Sequence, residues 1–346
     1  KKKKNLTTPD SIELQRLLFE MRKKDIEIVV VEASSHGLHQ SRLQGIKVDT
    51  AILTSFSQDH LDYHKNIDNY AKAKKRLFID LKPNVSILNI DNKFGSALYK
   101  ELKLKKERRK VFSLSNKEPA DFEYTFSRDS EGSILVNLSS SSFGSHYFTL
   151  NTVSSALASN VVCAVASLLV KGIELSEVYP LFKDLKFPKG RMELISINSK
   201  DKCFIDYAHT PEALEKSLLE LREAFNGNIW CIFGCGGDRD KSKRPLMGKI
   251  AEKLSDNLVI TNDNPRNEEE MEIINQIMLK TKNNTSIKII KDRELAIGFC
   301  LKKIAEDSQP NILLIAGKGH EQYQEVQGKK IPFRDVDIVN SFLKPI

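Results

Sequence analysis

The sequence predicts an α/β protein of two successive domains, each a mostly parallel sheet covered by helices. Short apolar runs of strand length alternate with amphipathic helical patterns over most of the chain, as parallel strands joined by crossover helices require. The 346 residues also exceed one ordinary core, since domains run to about 100–200 residues, so two are expected. Finally, the apolar runs of the second half all end in glycine or polar residues, and that carboxyl edge is where open α/β sheets bind ligands.

In chain order, "SIELQRLLFEMRKK" (11–24) reads as a helix. "IEIVVVE" (26–32), "TAILTSF" (50–56) and "VSILNID" (85–91) read as buried strands of one sheet, with "NYAKAKKRLFIDL" (69–81) as a helix on it. The polar stretch 100–148, with alternating patterns such as "SILVNL", predicts an antiparallel excursion. An apolar helix over 154–171 returns to the core, being too short and too rich in Ser and Asn to span a membrane. "KFPKGRMELI" (186–195) carries a Pro-Gly break suited to a hinge. The second sheet then follows as "KCFIDYA" (202–208), "NIWCIFG" (228–234), "NLVITND" (257–263), "SIKII" (286–290) and "NILLIAG" (311–317).

Hydrophobic residues make up 40 % of the chain and charged ones 29 %, the proportions of a soluble globular protein. The net charge of +8 comes largely from "KKKK" at the start and "KLKKERRK" (103–110), runs that read as solvated faces. No aromatic-basic RNA motif, helix-turn-helix pattern or zinc finger accompanies them, so no nucleic-acid partner is expected, and the charge suits phosphates or carboxylates. Five scattered cysteines without a CxxC pair fit reduced thiols in a cytoplasmic protein.

Several groups could carry chemistry. Glu32 closes an apolar strand, a position that serves either as a Mg²⁺ ligand or as a turn residue. "DHLDYH" places Asp59 and Asp62 among His60 and His64, the histidines at helical i and i+4 spacing. An oxygen-rich Mg²⁺ site using one histidine and capping histidines without metal are both open, with zinc behind them. In the helix that follows, about 100° per residue puts Tyr70, Lys74, Leu77 and Phe78 on one side and Lys72, Lys75 and Arg76 elsewhere. Lys74 then either snorkels to the surface or loses its charge by desolvation, and a neutral amine can add CO₂ to become an oxygen-donating carbamate.

"IFGCGGDRD" and "AGKGHE" fail the dinucleotide and P-loop fingerprints, because Arg239 and Gly319 stand where Gly and Ser/Thr are needed. Both loops can still hold anions through backbone N–H groups, with Arg239 and Lys318 adding charge. "DNPR" (263–266) sets a rigid turn before an arginine suited to a bidentate carboxylate contact.

In order, "TTPD", "EASSHGLHQSR", "DHLDYH…YAKAK", "GRME", "DYAHTPEAL", "FGCGGDRDKSKRPLM", "DNPR" and "AGKGHE" resemble the Mur ligase family, most closely its MurE type. The resemblance spans nearly the whole chain. It implies an ATPase-like central sheet over 1–187 and a Rossmann-like amino-acid-binding domain over 188–346. It also implies an ATP-dependent ligase, with Mg²⁺, that adds meso-diaminopimelate to UDP-MurNAc-L-Ala-D-Glu through an acyl phosphate. By position, Thr7, Thr8, Ser34, Gln40 and Arg42 match residues for the UDP-MurNAc-dipeptide. Glu32 and His60 match Mg²⁺ ligands, and Lys74 matches the family's carbamylated lysine. Asn160, Arg191, Asp206 and His209 fall where ATP is held. Arg239, Asp263, Asn264, Pro265, Arg266, Gly317 and Glu321 match the pocket for the incoming amino acid. Lysine-adding relatives differ at "DNPR", and a lysine-adding ligase, a folate polyglutamylation ligase and a non-catalytic binding remnant are the competing readings.

The family's ATP loop should precede "TTPD", and no GxxxxGK[ST] occurs in these residues. Leu6 stands where the family has Asn, and Leu157 replaces the first Asn of an NxxN pair. The expectation is therefore a fragment lacking the uridine-binding domain and the phosphate loop, not competent alone, and a cytoplasmic monomer.

Overall fold

A computed structural model describes residues 6–57, 60–105, 108–282 and 286–343. Asp59 and the first four lysines lie outside the described residues, as does the side chain of Asp62. The chain divides into two compact units, residues 1–125, 136–148 and 159–179, and residues 126–135, 149–158 and 180–346.

The first unit opens with α1 (Ser11–Lys23), whose first turn is capped by Asp10 accepting from the Glu13 N–H. Then come α2 (Ser35–His39), β1 (Thr50–Leu53), α3 (Leu61–His64), α4 (Ile67–Ile79), β2 (Val85–Asn89) and α5 (Lys93–Leu104). The chain continues through β3 (Lys110–Ser115), β4 (Phe122–Arg128), β5 (Ile134–Ser140), β6 (Gly144–Leu150) and α6 (Ser155–Val170). The six strands form one sheet in sequential order, and β1–β2, β2–β3 and β3–β4 pair in parallel. The excursion expected over 100–148 begins in helix α5 and becomes β3–β6, the last three joined by short loops of the kind that connect antiparallel neighbours. Beneath the sheet, Leu53, Phe78, Leu88, Leu98 and Leu102 pack together.

The expected buried strand at 26–32 is a correction. The segment is extended but belongs to no sheet, with Ile28 74 % and Val30 92 % exposed. A β-branched run becomes a buried strand only beside another strand, and among the described residues β1 pairs only with β2.

The second unit contains α7 (Tyr179–Phe182), β7 (Glu193–Ser196), β8 (Lys202–Asp206), α8 (Pro211–Ala224), β9 (Asn228–Phe233), α9 (Lys243–Leu254) and β10 (Asn257–Ile260). It ends with α10 (Glu270–Met278), β11 (Ser286–Ile289), α11 (Arg293–Glu306), β12 (Asn311–Ala316), the hairpin β13 (Tyr323–Val326) and β14 (Lys329–Pro332), and α12 (Asp335–Leu343). The large sheet runs β11-β10-β9-β12-β8-β7, parallel throughout except at β7. Alternate strand residues serve opposite faces. Phe204, Cys231, Phe233, Leu258 and Leu314 meet Leu214, Leu218, Met247, Ala251 and Ile274 of α8–α10. Ile205, Ile232, Val259, Leu313 and Ile315 meet Ile297, Cys300 and Ile304 of α11 and Val339 of α12. Both faces are covered, which is why these strands read as continuous apolar runs.

The order places β12 between β8 and β9, a switch point at whose carboxyl edge the loops after β8, β9, β10 and β12 gather. All five cysteines are free and buried, and burial pushes the thiols of Cys163, Cys231 and Cys235 up to about 12. No helix among the described residues is long and apolar enough to cross a membrane.

Candidate active-site clusters

In the first unit the loop entering α2 is organised by a buried hydroxyl. Thr8 Oγ1 donates to the Glu32 carbonyl (2.6 Å), accepts from the Ser34 N–H (2.9 Å) and lies 2.9 Å from Ser34 Oγ. Ser34 also caps α2 by accepting from the Gly37 N–H. Arg42 donates to the Thr8 carbonyl (2.7 Å) and to Gln40 Oε1 (2.6 Å), while Gln40 Nε2 donates to Tyr63 Oη (2.9 Å). Four of the five residues expected at the UDP-sugar peptide thus form one hydrogen-bonded group, and Thr7 is adjacent and exposed. The Thr8 hydroxyl is committed to the protein, so it shapes this loop.

Around it stand four of the chain's seven histidines. The His36 ring lies 5.0 Å from His60, 5.5 Å from His64 and 4.1 Å from Tyr63, and His39 Nδ1 is 2.9 Å from Tyr63 Oη. His60 precedes α3 in the left-handed region (φ +53°), yet the His60 and His64 rings share a side as the i, i+4 spacing predicts, both reaching His36 and Tyr70. His64 turns inward, its Nε2 3.0 Å from Ser35 Oγ. Tyr70 and Phe78 of α4 are buried as helical angles predict, and Lys72 is exposed. Lys74 is half-buried with Nζ 5.4 Å from the centre of the Tyr70 ring, and His60 reaches the same ring at 6.3 Å. His60 and Lys74 therefore meet at Tyr70, a residue the sequence placed on the right face without a role. Arg76 donates to the Leu38 and His39 carbonyls, which ties α4 to α2. The Glu32 carboxylate is exposed, and among the described residues no group of three His, Cys, Asp or Glu is gathered for a metal. Asn160 is exposed on α6.

In the second unit, the loop after β8 sets Tyr207 between Arg191, stacked at 4.9 Å, and the rings of His209 (4.6 Å) and His320 (5.3 Å). Asp206, expected to face a nucleotide, points inward instead. Its carboxylate accepts from the Met192 and Ala208 N–H groups, both at 2.7 Å, and burial raises its pKa against those bonds. It holds the turn that carries Arg191.

The loops after β9, β10 and β12 meet at the sheet edge. A Cβ on Gly236 would come 2.8 Å from Arg266 Nη1 and 3.7 Å from Arg239 Cγ, so both arginines converge on this glycine. Arg266, at φ +51°, donates from Nη1 to the Gly237 carbonyl (2.7 Å) and from Nε to Glu325 (3.3 Å). Its backbone joins β13 through the bonds Arg266 N–H to Glu325 carbonyl and Gln327 N–H to Arg266 carbonyl. Asp263 is only 8 % exposed, and no hydrogen-bond donor reaches its carboxylate among the described residues. Burial raises its pKa, opposed by Arg293 and Lys318. Asn264 Nδ2 donates to Glu321 Oε2 (2.8 Å). All the expected amino-acid-binding residues thus share this edge, Pro265 lying between Asn264 and Arg266.

Two buried arginines support these loops, and the sequence had marked neither. Arg244 donates to both Glu268 oxygens (2.9 and 3.0 Å) and to the Gly236 carbonyl (2.9 Å), holding Glu268 down at about 2. Arg293 grips Asp335 with two bonds (2.7 and 2.8 Å) and also donates to the Ala316 and Asn262 carbonyls. Lys318, expected to add charge for an anion, is instead fully buried.

Residues 1–168 match the Mur ligase middle domain, and residues 190–319 match the Mur ligase glutamate ligase domain. A UDP-N-acetylmuramoyl-L-alanyl-D-glutamate–2,6-diaminopimelate ligase of Haemophilus influenzae is 37 % identical over 98 % of this chain and 68 % of its own length. The ligase of that name from Wigglesworthia glossinidia brevipalpis is 40 % identical over 99 % of this chain and 68 % of its own. Among solved structures, one of a UDP-N-acetylmuramoyl-L-alanyl-D-glutamate–2,6-diaminopimelate ligase superposes with a TM-score of 0.69 at 33 % identity. It covers 97 % of this chain and 68 % of its own.

Proposed function

The chain belongs to the Mur ligase family, and from that premise we propose that it adds meso-diaminopimelate to UDP-MurNAc-L-Ala-D-Glu in peptidoglycan precursor synthesis, as an ATP-dependent acid–amino-acid ligase. The observation that carries the reading is the mixed charge of one edge. Arg239 and Arg266 converge at Gly236, while Asp263 and Glu321 lie on the neighbouring loops. Diaminopimelate has a carboxylate and an ammonium at each end, and such a ligand needs both signs. Lysine lacks the distal carboxylate that Arg266 would hold.

The chemistry activates the D-Glu carboxylate with the γ-phosphoryl of ATP, giving an acyl phosphate and ADP. The diaminopimelate amine, as the free base, then attacks the acyl carbon, the C–N bond forms, the C–O bond to phosphate breaks, and phosphate leaves, with the proton given up by the nitrogen passing to solvent or phosphate. Asp263 offers a buried acceptor to an ammonium, and Glu321 a second. Thr7, Ser34, Gln40 and Arg42 are assigned to the UDP-sugar peptide, with Thr8 serving it indirectly by shaping their loop, and Asn160, Arg191 and His209 to ATP. Asp206 serves ATP indirectly by holding the turn of Arg191. A carboxylate (Glu32), an imidazole (His60) and Lys74 as a carbamate are a donor set suited to Mg²⁺, completed by phosphate and water. When bound, that ion supplies charge neutralisation at the phosphates. A boundary at 187/188, near the gap between the two matched families, and a cytoplasmic monomer belong to the same proposal.

The test is phosphate release by the protein that carries this sequence, given ATP, UDP-MurNAc-L-Ala-D-Glu and either amino acid. Release is expected with diaminopimelate and not with lysine. Equal release with both would remove the specificity assignment.

A further inference from the structure

We propose that Lys318 is a positioning residue of the amino-acid pocket: its buried ammonium gathers Asn264, Glu321 and the start of β13 so that Glu321 presents one free oxygen to the ammonium of diaminopimelate that does not attack. The proposal rests on the diaminopimelate reading above and concerns a residue that makes no contact with the ligand.

A lysine ammonium has three donors and no acceptor. Lys318 Nζ directs all of them into the protein, to Asn264 Oδ1 (3.1 Å), Glu321 Oε2 (3.1 Å) and the Tyr323 carbonyl (2.8 Å), and it is 0 % exposed. No donor is left for a phosphate or a carboxylate, although the "GKG" context suggests one. The flanking backbone explains the inward turn. Gly317 (φ +112°) and Gly319 (φ +51°) adopt conformations that glycine tolerates best, and a Cβ on Gly317 would stand 2.6 Å from Asp263 Oδ2.

A buried ammonium persists only where well-placed partners offset its desolvation. Here each partner belongs to the pocket. Asn264 Oδ1 accepts from Lys318 and from the Glu325 N–H (2.9 Å), which fixes the amide so that Nδ2 donates to Glu321 Oε2. Glu321 Oε2 therefore receives two donors, while Oε1 has none among the described residues and the side chain is 23 % exposed. One oxygen is fastened and the other is presented. Without the ammonium, Glu321 and Asp263 would also face each other with less positive charge behind them, since Lys318 is among the groups that oppose the upward shift at Asp263.

The experiment uses Lys318→Met, which keeps the stem and removes the charge, with Lys318→Gln as a second variant should the first not fold. Calorimetric titrations use meso-diaminopimelate and 2-aminopimelate, its analogue without the second amine. The variants should bind diaminopimelate about 10-fold or more weaker, with 2-aminopimelate changed less than about 2-fold. Equal weakening of both ligands means a merely structural role, and no weakening means no role; either overturns the proposal. The Asn264 side-chain amide resonances decide the brace without ligand. They should be sharp in the unsubstituted protein and shifted and averaged in the variants, and unchanged resonances would overturn it. If the unsubstituted protein binds neither ligand, the diaminopimelate reading falls while these resonances still decide whether Lys318 positions Asn264.

Discussion

Arg266→Met should weaken meso-diaminopimelate binding by about 100-fold, a loss of about 2.7 kcal/mol, and bring the preference over lysine close to unity. The magnitude follows from the chemistry of the contact. Arg266 is held on two sides, by the Gly237 carbonyl and by Glu325, so its guanidinium is oriented before any ligand arrives. A preoriented arginine loses little freedom on binding and offers a carboxylate two parallel charge-assisted bonds. Its removal leaves the distal carboxylate beside Glu325 with reduced compensation. Lysine has no distal carboxylate, so its affinity should change by less than about 3-fold. Arg266→Lys is not a conservative test here, because an ammonium cannot reproduce the fork. Isothermal titration with both ligands against the unsubstituted protein and the variant measures each number.

The largest expected effect on stability lies at Arg293 and Asp335, which are 1 % exposed each and joined by a bidentate pair. Arg293→Met should cost about 3–5 kcal/mol in urea unfolding, because Asp335 is left buried without its partner and the Ala316 and Asn262 carbonyls lose a donor. The double replacement Arg293→Met with Asp335→Leu should recover most of that loss, since an apolar pair of similar volume needs no desolvation of charge. A double variant as unstable as the single one would show that the carbonyl bonds, and not the ion pair, carry the stability. The pair has a second consequence for the site. Asn262 precedes Asp263 and Ala316 precedes Gly317, so one guanidinium sets the spacing of two pocket loops.

How far the sequence could be read depended on the range of the interaction involved. The strands of the second unit were legible because both faces of the sheet are covered, so β8, β9, β10 and β12 appear as unbroken apolar runs ending in polar residues. The same signal misled at 26–32, where apolar β-branched residues stand extended with no neighbouring strand among the described residues. Periodicity reports what a segment could bury, and only a partner decides whether it does. On α4 the helical angles separated the buried Tyr70 and Phe78 from the exposed Lys72, but not Lys74 from Lys75 and Arg76, all three being half-buried. They could not show that His60 would reach the same tyrosine from a residue in the left-handed region.

The candidate site divides in the same way. Polar and glycine endings marked the loops that carry Arg239, Asp263, Arg266 and Gly317, and the structure brings those loops to one edge. What each side chain does there was not legible. Asp206 and Lys318 look like ligand-facing groups in sequence, yet both direct their hydrogen bonds inward. Arg293 and Asp335 are 42 residues apart, with nothing in either local sequence to pair them. Such partnerships arise from tertiary packing, and composition and spacing carry no record of them.

The central claim is that this edge recognises an amino acid with a charged carboxylate and ammonium at its far end. Side-by-side calorimetric titration of the unsubstituted protein with meso-diaminopimelate and L-lysine tests it most directly. The account predicts diaminopimelate binding tighter by about 100-fold, corresponding to about 2.7 kcal/mol for the distal carboxylate. Equal affinities, or a preference for lysine, would contradict it.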